Sequence, residues 1–518
     1  MKQDYTKTFC NPVSFPDYFY AGKTWFPSAY LPVTDRWHEG QEAVCKRPAR
    51  AYRTMADPDI MFYDGKWYLY GSMDCCYVSS DLLHWEMHSL LPKKFDASGQ
   101  TKEGRALTAH EISLFEIFVA LTVVHHNGRF YMVHSSTNCI YAADSPFGPF
   151  EKIGNFVKPD GSELWVDDPA LFEDDGRLYL FFGCGIETGI QGTELNPDRP
   201  WELLCDPVRI VEYRPEVEWE RNGARYQQTD VGWIEGCDVF KHNGRYYLTY
   251  AANGTCYDTY NLGVYYSDES PLSGYRPQNS GPFCEKREGI CRGAGHGCVT
   301  EGSDGSLWVF YTSVAASKHM YERRVGMDKV VVDEQGELHV KTTDYPQWAP
   351  GVTVPNDPDN GAGLLALNHQ NPAWATSAAP GREPFYTTDE SMCTWWEPDE
   401  GDTKRQLIVA LRADYNVYAS RVLWKEYGYD KDLGIAPGAV QYKIEVTTDS
   451  TVTNDGADAS TIQWETVLDM SDNQTDLLND YQTFSPKHAT AARLTILGMP
   501  KDVKIGVVSF ILFGKREK

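Results

Sequence analysis

The stretch ADPDIMFYDGKWYLYGS, residues 56–72, combines an acidic start, an aliphatic run, an Asp-Gly pair and a strand of alternating aromatic residues. Asp64 and Gly65 stand between two short β-prone runs, a pattern typical of a two-residue hairpin. A type I′ turn needs positive φ at both central positions, and Asp followed by Gly adopts that conformation readily. Residues 56–72 are therefore predicted to form a tight β-hairpin.

The same pattern recurs further along the chain. The other copies are LTVVHHNGRFYMVHS (121–135), DPALFEDDGRLYLFFG (168–183), EGCDVFKHNGRYYLTYA (235–251) and HGCVTEGSDGSLWVFYTS (296–313). Successive turn glycines, at positions 65, 128, 176, 244 and 305, are 63, 48, 68 and 61 residues apart. This spacing suits one four-stranded blade with its loops, so the copies predict an all-β fold, a five-bladed β-propeller.

One position of the repeat carries the residues that suggest chemistry. Eight residues before the turn glycine stand Asp57, Ala120 and Asp168, and nine residues before it stand Glu235 and His296. In a propeller the first strand of each blade runs beside the central axis, so equivalent positions meet at one mouth of the channel. Three carboxylates from distant parts of the sequence are therefore expected to lie together at this mouth.

The chain of 518 residues is longer than a single hydrophobic core usually supports, so two domains are expected. Residues 351–362 collect Pro, Gly, Asn and Asp without a strand pattern, and they are predicted to be a linker. Alternating strands bounded by turns continue on both sides of it. We therefore expect a propeller in residues 1–350 and a jelly-roll β-sandwich in residues 363–518.

Acidic residues outnumber basic residues by 73 to 48, which gives a net charge of −25. Such a charge repels both nucleic acid and an anionic membrane surface, so neither is an expected partner. No signal-peptide pattern is visible, and 13 cysteines without a CxxC pair argue against a disulfide framework and a zinc site. The expected location is the cytoplasm, and a homo-oligomer is compatible with the sequence.

Four motifs occur in order in the propeller region: ADP at 56–58, DPALF at 168–172, EG at 235–236 and GHG at 295–297. With this order and spacing, residues 1–350 resemble glycoside hydrolase family 43, whose five-bladed enzymes include α-L-arabinofuranosidases, β-xylosidases, arabinanases and galactanases. The resemblance implies an inverting hydrolase that removes terminal α-L-arabinofuranosyl or β-D-xylosyl units from plant-derived oligosaccharides. The alternatives are an exo-β-galactosidase or galactanase of the same fold and a non-catalytic carbohydrate-binding propeller.

The resemblance also implies roles for the three carboxylates. Asp57 is expected to be the general base, Glu235 the general acid, and Asp168 the residue that orients the acid and raises its proton affinity. Hydrolysis of a glycosidic bond needs one carboxylic acid beside the leaving oxygen and one carboxylate that activates water. Asp167 is the alternative to Asp168, which is preferred because it shares with Asp57 the place before Pro and eight residues before Gly.

Four further residues are singled out around this centre. Trp165 and Trp233 precede two of the carboxylates and are candidates either for stacking on a sugar face or for packing within their blades. Of the adjacent pair Arg323 and Arg324, the resemblance favours Arg324 as the arginine that reaches the acidic centre. His296 is interpreted either as a neutral histidine in the channel or as a residue that binds calcium through water, and no cofactor is expected to be required.

The second blade departs from the family pattern. A Trp-Ala-Pro run is common there, whereas this chain has Val119-Ala120-Leu121 after HEISLFEIF (110–118). Phe115 is therefore expected to replace the usual pocket wall, with Glu111 and Glu116 as alternatives.

The C-terminal region resembles the discoidin, or coagulation factor 5/8 type C, group of β-sandwiches. TWWEPDEGD (394–402), VQYKIEVTTDS (440–450) and GVVSFILFG (506–514) carry this resemblance, although the cysteine pair that often clips such domains is missing. It implies either carbohydrate binding or a structural role against the propeller, and the structural role is favoured.

Overall fold

The computed structural model describes residues 4–17, 55–73, 75–90, 118–314, 323–352, 359–427, 437–453 and 461–516. Within these residues the chain forms a five-bladed β-propeller followed by a β-sandwich, as the sequence predicts. The strands of each blade are consecutive in the sequence and antiparallel, which is the arrangement typical of propellers. In this part of the chain no helix is both long and apolar enough to cross a membrane.

The strands of the blades follow one another along the chain. Blade one contains Asp59–Tyr63, Lys66–Tyr70, Cys75–Ser79 and Glu86–Ser89. Blade two contains Thr122–His126, Arg129–Val133, Cys139–Ala143 and Glu151–Asn155. Blade three contains Ala170–Asp174, Arg177–Phe182, Ile190–Leu195 and Val208–Val211. Blade four contains Ile234–His242, Arg245–Ala252, Asn261–Ser267, Arg276–Pro277 and Cys284–Glu285. Blade five contains Arg292–Glu301, Leu307–Val314, Arg323–Val332 and Leu338–Val340.

The turn residues explain where the innermost hairpins form. In the first four blades both turn residues have positive φ, for example 47° at Asp64 and 74° at Gly65. The equivalent pairs are Asn127-Gly128, Asp175-Gly176 and Asn243-Gly244. In blade five the loop 302–306 joins the two strands, and of its residues only Gly305 has positive φ, at 79°. The repeat predicts a tight two-residue turn in blade five as well, and for this blade the prediction was wrong.

Partly buried carboxylates on the innermost strands join neighbouring blades. Asp59 in blade one accepts hydrogen bonds from Val123 N at 3.0 Å and Thr122 Oγ1 at 3.1 Å, both in blade two. Asp238 in blade four accepts one from Val299 N in blade five, 3.0 Å away. The innermost strand of blade five also contacts that of blade one, so the ring is closed. These two acidic residues are therefore structural, because donors of the next blade occupy their oxygens.

The sandwich is built around two long strands, Gln406–Tyr427 and Asn479–Gly498. In order of hydrogen bonding, its strands are Leu365–Ala366, Lys504–Lys515, Gln406–Tyr427, Asn479–Gly498, Gln441–Thr447 and Glu465–Met470, with Ala373–Ala375 paired to Gln406–Tyr427. Its core is apolar and includes the fully buried rings of Trp396, Tyr442 and Phe510. The predicted domain limits stay predictions, and residues 353–358 of the expected linker lie outside the described residues.

Short elements complete the described chain. The 3-10 helices are Tyr5–Lys7, Glu218–Glu220, Pro384–Thr388 and Ser450–Thr453. The strand Thr8–Phe9 pairs with Gln347–Trp348, which brings the N-terminal segment beside blade five.

A buried arginine attaches the sandwich to the propeller. Arg421 is 1% exposed, and its Nη1 donates to the carbonyl oxygens of Asp344 at 2.8 Å and Asn11 at 3.4 Å. Asn479, on the other long strand of the sandwich, donates to the carbonyl oxygen of Cys10, 3.0 Å away. Side chains of the sandwich thus satisfy buried carbonyl groups of the N-terminal segment and of Asp344, which follows blade five, so the two units share a polar interface.

We predict that Arg421→Met lowers the free energy of unfolding by about 2 kcal/mol, because it leaves buried carbonyl groups without their charged donor. Urea denaturation measures this change. Arg177→Met is the matched control, since Arg177 is an exposed arginine paired with Glu194 within blade three, and exposed pairs contribute little. A loss for Arg421→Met no larger than that of the control would show that the interface does not depend on this arginine.

Candidate active site

Each blade bends the backbone into the left-handed region in its innermost segment, before the first strand in blades one to three and within it in blades four and five. The φ angles are 52° at Asp57, 45° at Ala120, 44° at Asp168 and 34° at His296. In blade four this conformation falls on Gly236, at 55°, so the placement of Glu235 at the shared position was wrong by one residue. A Cβ atom on Gly236 would come 2.4 Å from His296 Cγ, and only glycine fits there. Glu235 therefore projects from the residue before the bend.

Hydroxyl groups of one blade hold the bend of the next blade. They stand seven residues after a turn glycine, at Ser72, Ser135 and Thr312. Ser72 Oγ accepts from Ala120 N at 2.9 Å, Ser135 Oγ from Asp168 N at 3.1 Å, and Thr312 Oγ1 from Asp57 N at 2.7 Å. Each hydroxyl group keeps a proton that it can donate to a carboxylate. One repeat position therefore supports both the bend and the acidic side chains on it.

Asp57 is buried and paired with a cation. Arg323 donates from Nη1 to Oδ1 and from Nη2 to Oδ2, at 3.0 Å each. Ser72 Oγ donates to Oδ2, and His296 Nδ1 lies 3.4 Å from Oδ1. Burial by itself would raise the pKa of Asp57, but Arg323, His296 and the bond from Ser72 outweigh burial and lower this pKa below its usual value. Asp57 is therefore ionised at neutral pH, as a general base must be.

Asp168 lies near the same nitrogen of His296. His296 Nδ1 lies 3.7 Å from Asp168 Oδ2, so one imidazole ring faces both aspartates. Ser135 Oγ donates to Asp168 Oδ1 at 3.1 Å. Burial raises the pKa of Asp168, His296 opposes this effect, and the charge of Asp57 adds to it. As a result, the pKa of Asp168 is above its usual value.

Glu235 meets two side-chain donors of unequal strength. Tyr260 OH donates to Oε1 at 2.9 Å, and Cys184 Sγ lies 3.3 Å from Oε2. Burial, followed by the charge of Asp168, raises the pKa of Glu235 to about 8. The first glycine of the GHG motif makes room for this arrangement, because a Cβ atom on Gly295 would come 2.2 Å from Tyr260 Cδ1. Glu235 therefore retains its proton at neutral pH.

The structure corrects the choice of arginine. Arg323, and not the predicted Arg324, forms the ion pair with Asp57. The two arginines are adjacent on the strand Arg323–Val332, and neighbouring side chains of a strand point to opposite faces. Arg324 Nη1 instead donates to the carbonyl oxygen of Arg323, at 2.9 Å.

The choice between Asp167 and Asp168 agrees with the structure. Asp167 is exposed, and its Oδ1 accepts hydrogen bonds from Ser136 N at 3.1 Å and Ser136 Oγ at 2.9 Å. It therefore holds the adjoining turn of blade two, whereas Asp168 joins the buried cluster.

Three aromatic residues are predicted to bind sugar, and the structure describes two of them. Trp165 is 64% exposed and Trp233 is 46% exposed, so neither is enclosed in the core of its blade. Phe115, Glu111 and Glu116 lie outside the described residues.

The donors around His296 do not fit a calcium site on the Nδ1 side. Calcium takes about six to eight oxygen ligands. Here Nδ1 faces the carboxylates of Asp57 and Asp168, and both oxygens of Asp57 already accept from the guanidinium group of Arg323. A second cation at this point would meet the positive charge of Arg323, so calcium does not fit between Nδ1 and these two carboxylates. Water-mediated calcium binding by His296 elsewhere in the channel stays a prediction.

Sequence reasoning missed the residues that hold the carboxylates. These are Ser72, Ser135, Thr312, Tyr260 and Cys184. The three hydroxyl residues share one repeat position, which an alignment of the copies identifies. Tyr260 and Cys184 have no equivalent in the repeats, and no spacing in the sequence connects them to Glu235.

The cluster can therefore perform acid and base chemistry at the same time. Asp57 is ionised because a cation is bonded to it, and Glu235 is protonated because it is buried beside another carboxylate. Two carboxyl groups in opposite protonation states are what the hydrolysis of an acetal requires.

Comparison with known proteins agrees with this chemistry. A xylosidase/arabinosidase from Butyrivibrio fibrisolvens is 30% identical over 146 residues, which are 27% of this chain and 26% of that protein. An arabinoxylan arabinofuranohydrolase from Paenibacillus polymyxa is 24% identical over 278 residues, 46% of this chain and 40% of that protein. A xylosidase/arabinosidase from Bacteroides ovatus is 28% identical over 246 residues, 40% of this chain and 73% of that protein. The chain thus spans less than half the length of the first two relatives.

The model of the glycosyl hydrolases family 43 matches residues 45–338, which is more than half of the chain. The match begins before the first strand of blade one and reaches the last strand of blade five. The ADP, DPALF, EG and GHG motifs lie within this match. On this evidence the chain belongs to family 43 of the glycosyl hydrolases.

Proposed function

We propose that this chain is an inverting glycoside hydrolase that removes terminal α-L-arabinofuranosyl or β-D-xylosyl units from oligosaccharides. The observation that carries this proposal is the cluster in which buried Asp57 pairs with Arg323, while the carboxyl group of Glu235 accepts from Tyr260 and lies within 4.8 Å of that of Asp168. Family membership and the printed names of the relatives support the substrate class. A cytoplasmic location, with imported oligosaccharides as substrates, belongs to the same proposal.

The reaction is a single displacement. Asp57 accepts a proton from a water molecule while the oxygen of that water attacks the anomeric carbon. The bond between this carbon and the glycosidic oxygen breaks, and Glu235 delivers its proton to the departing oxygen. Arg323 keeps Asp57 ionised before the step, and the charge of Asp168 keeps the proton on Glu235. Proton exchange with solvent then restores both groups.

Exposed aromatic rings support binding of a sugar beside these groups. Trp165 stands three residues before Asp168, and Trp233 stands two residues before Glu235. Trp165 is 64% exposed and Trp233 is 46% exposed, and a sugar ring packs well on an accessible aromatic face. We assign them to the terminal sugar unit and its neighbour, which fits exo action.

The substrate class and the stereochemistry are tested together. Among the nitrophenyl derivatives of α-L-arabinofuranose, β-D-xylose and β-D-galactose, we expect hydrolysis of the first two and not of the galactoside. NMR of the first product should show the opposite anomeric configuration, because the water attacks from the face opposite the leaving group. Hydrolysis of the galactoside alone would favour the galactosidase alternative, and retention of configuration would overturn the single displacement.

The roles of the acid and the base are separated by the leaving group. Asp57→Asn should lower kcat/KM by roughly 10²- to 10⁴-fold on every substrate, since the base is needed whatever group departs. Glu235→Gln should cause a similar loss on an oligosaccharide but a much smaller loss on a dinitrophenyl glycoside, which departs without a proton. Asp167→Asn is the control and should keep the wild-type rate. Equal losses for Glu235→Gln on both substrates would remove Glu235 from the acid role.

The pH profile of kcat/KM should be bell-shaped. Its acidic limb reports Asp57, which loses activity as the pH falls through a lowered pKa, and its alkaline limb, near pH 8, reports the loss of the proton of Glu235. Arg323→Met should move the acidic limb to higher pH, because the cation that keeps Asp57 ionised is gone. Arg324→Met is the control and should leave this limb in place. A shift in the control and not in Arg323→Met would reverse the assignment of the arginines.

A further inference from the structure

Cys184 contacts the general acid from blade three. It stands two residues after the strand Arg177–Phe182, and its Sγ lies 3.3 Å from Glu235 Oε2. The ligand-type atoms of Cys184, Glu235 and Asp168 all lie within 4.8 Å of one another. The thiol is therefore part of the carboxylate cluster and not of the surrounding blade core.

The backbone around this thiol is held by the strand that carries the acid. Gly185 N donates to the carbonyl oxygen of Ile234, the residue directly before the acid, at 3.2 Å. A Cβ atom on Gly183 would come 1.9 Å from the carbonyl oxygen of Gly189, so the loop is closed tightly at this point. Cys184 consequently has a defined position relative to the carboxyl group of the acid.

The Cys184 thiol is neutral and acts as a donor. Burial raises its pKa well above the usual value, and the charges of Glu235 and Asp168 raise this pKa further. A neutral thiol has one weak S–H donor, whereas the hydroxyl group of Tyr260 is a strong donor. Oε1 of Glu235 therefore meets the stronger donor and Oε2 the weaker one.

We propose that Cys184 is a positioning residue, whose thiol orients the carboxyl group of Glu235 and, as a weak donor, leaves the proton on that carboxyl group. The proposal rests on the proposed function of Glu235 as the general acid. A hydroxyl group in the same place would stabilise the carboxylate form and favour loss of the proton. The choice of cysteine over serine thus suits an acid that must remain protonated at neutral pH.

Charged and polar groups from other parts of the propeller also act on the carboxyl group of Glu235. Asp168 and, more weakly, Asp57 raise its proton affinity through their charges, and Tyr260 lowers it through a hydrogen bond. The partly buried thiol of Cys256 lies close enough to respond to the charge of Glu235. Only the donor at position 184 changes in the variants below, so these other influences stay the same.

The test compares Cys184→Ser with Cys184→Ala. We expect Cys184→Ser to move the alkaline limb of kcat/KM to lower pH by roughly half a unit to one unit, as a stronger hydrogen bond to the carboxylate implies. Cys184→Ala should move this limb in the opposite direction or leave it in place, and should lower kcat because the carboxyl group is less well oriented. Cys205→Ser is the matched control, since Cys205 is a partly buried thiol beside Thr193 in blade three. It should not move the limb.

A second readout is independent of hydrolysis. In protein labelled with ¹³C at the glutamate carboxyl carbon, the resonance that disappears in Glu235→Gln belongs to Glu235. In each Cys184 variant, the titration of this resonance should move in the same direction as the alkaline limb of kcat/KM does in that variant. This separates failure of the present inference from failure of the proposed function, because the titration needs no substrate. Identical titrations in wild type, Cys184→Ser and Cys184→Ala would overturn the proposal, as would an upward shift in Cys184→Ser. A change in melting temperature alone, without a shift, would likewise leave Cys184 a purely structural residue.

Discussion

The site depends on a left-handed backbone bend that each blade makes in its innermost segment. A left-handed conformation costs a residue with a side chain about 1–2 kcal/mol, so it persists only where neighbouring structure holds it. In three blades that support is the hydroxyl group of Ser72, Ser135 or Thr312, which accepts the backbone N–H of the bend in the next blade. Because the bends surround one axis, the side chains on them converge. The hydroxyl groups that join these blades therefore also position Asp57 and Asp168, whereas Glu235 projects from the residue before its bend.

The two reactive carboxyl groups differ because their neighbours differ. Blade five contributes Arg323 and His296 to Asp57, and together with the hydrogen bond from Ser72 they outweigh the cost of burying its charge. Glu235 receives no such cation among the described residues; it meets the weak donor Cys184 and the charge of Asp168 instead. Burial of both groups makes these local differences large. A closed ring of blades thus places two carboxyl groups in opposite protonation states within one cluster.

The sandwich contributes to the propeller through the seam where the ring closes. Leu478 of the sandwich packs in the same core as Trp67 of blade one and Phe310 of blade five. Arg421 adds a buried polar contact beside this core. The contacts favour the structural role that the sequence suggested for this domain, because they connect it to the two blades whose innermost strands complete the ring.

The sequence by itself determined the blade count, the hairpins of the first four blades, the sandwich and the three carboxylates, because each depends on a local pattern or on the period of the repeat. Tertiary structure alone decided which of two adjacent arginines pairs with Asp57, because one residue along a strand reverses the face to which a side chain points. It also decided that the bend of blade four falls on Gly236, where the His296 ring leaves no room for a Cβ atom. Cys184 could not be assigned in advance, since burial and the approach of Glu235 from another blade give its thiol its role.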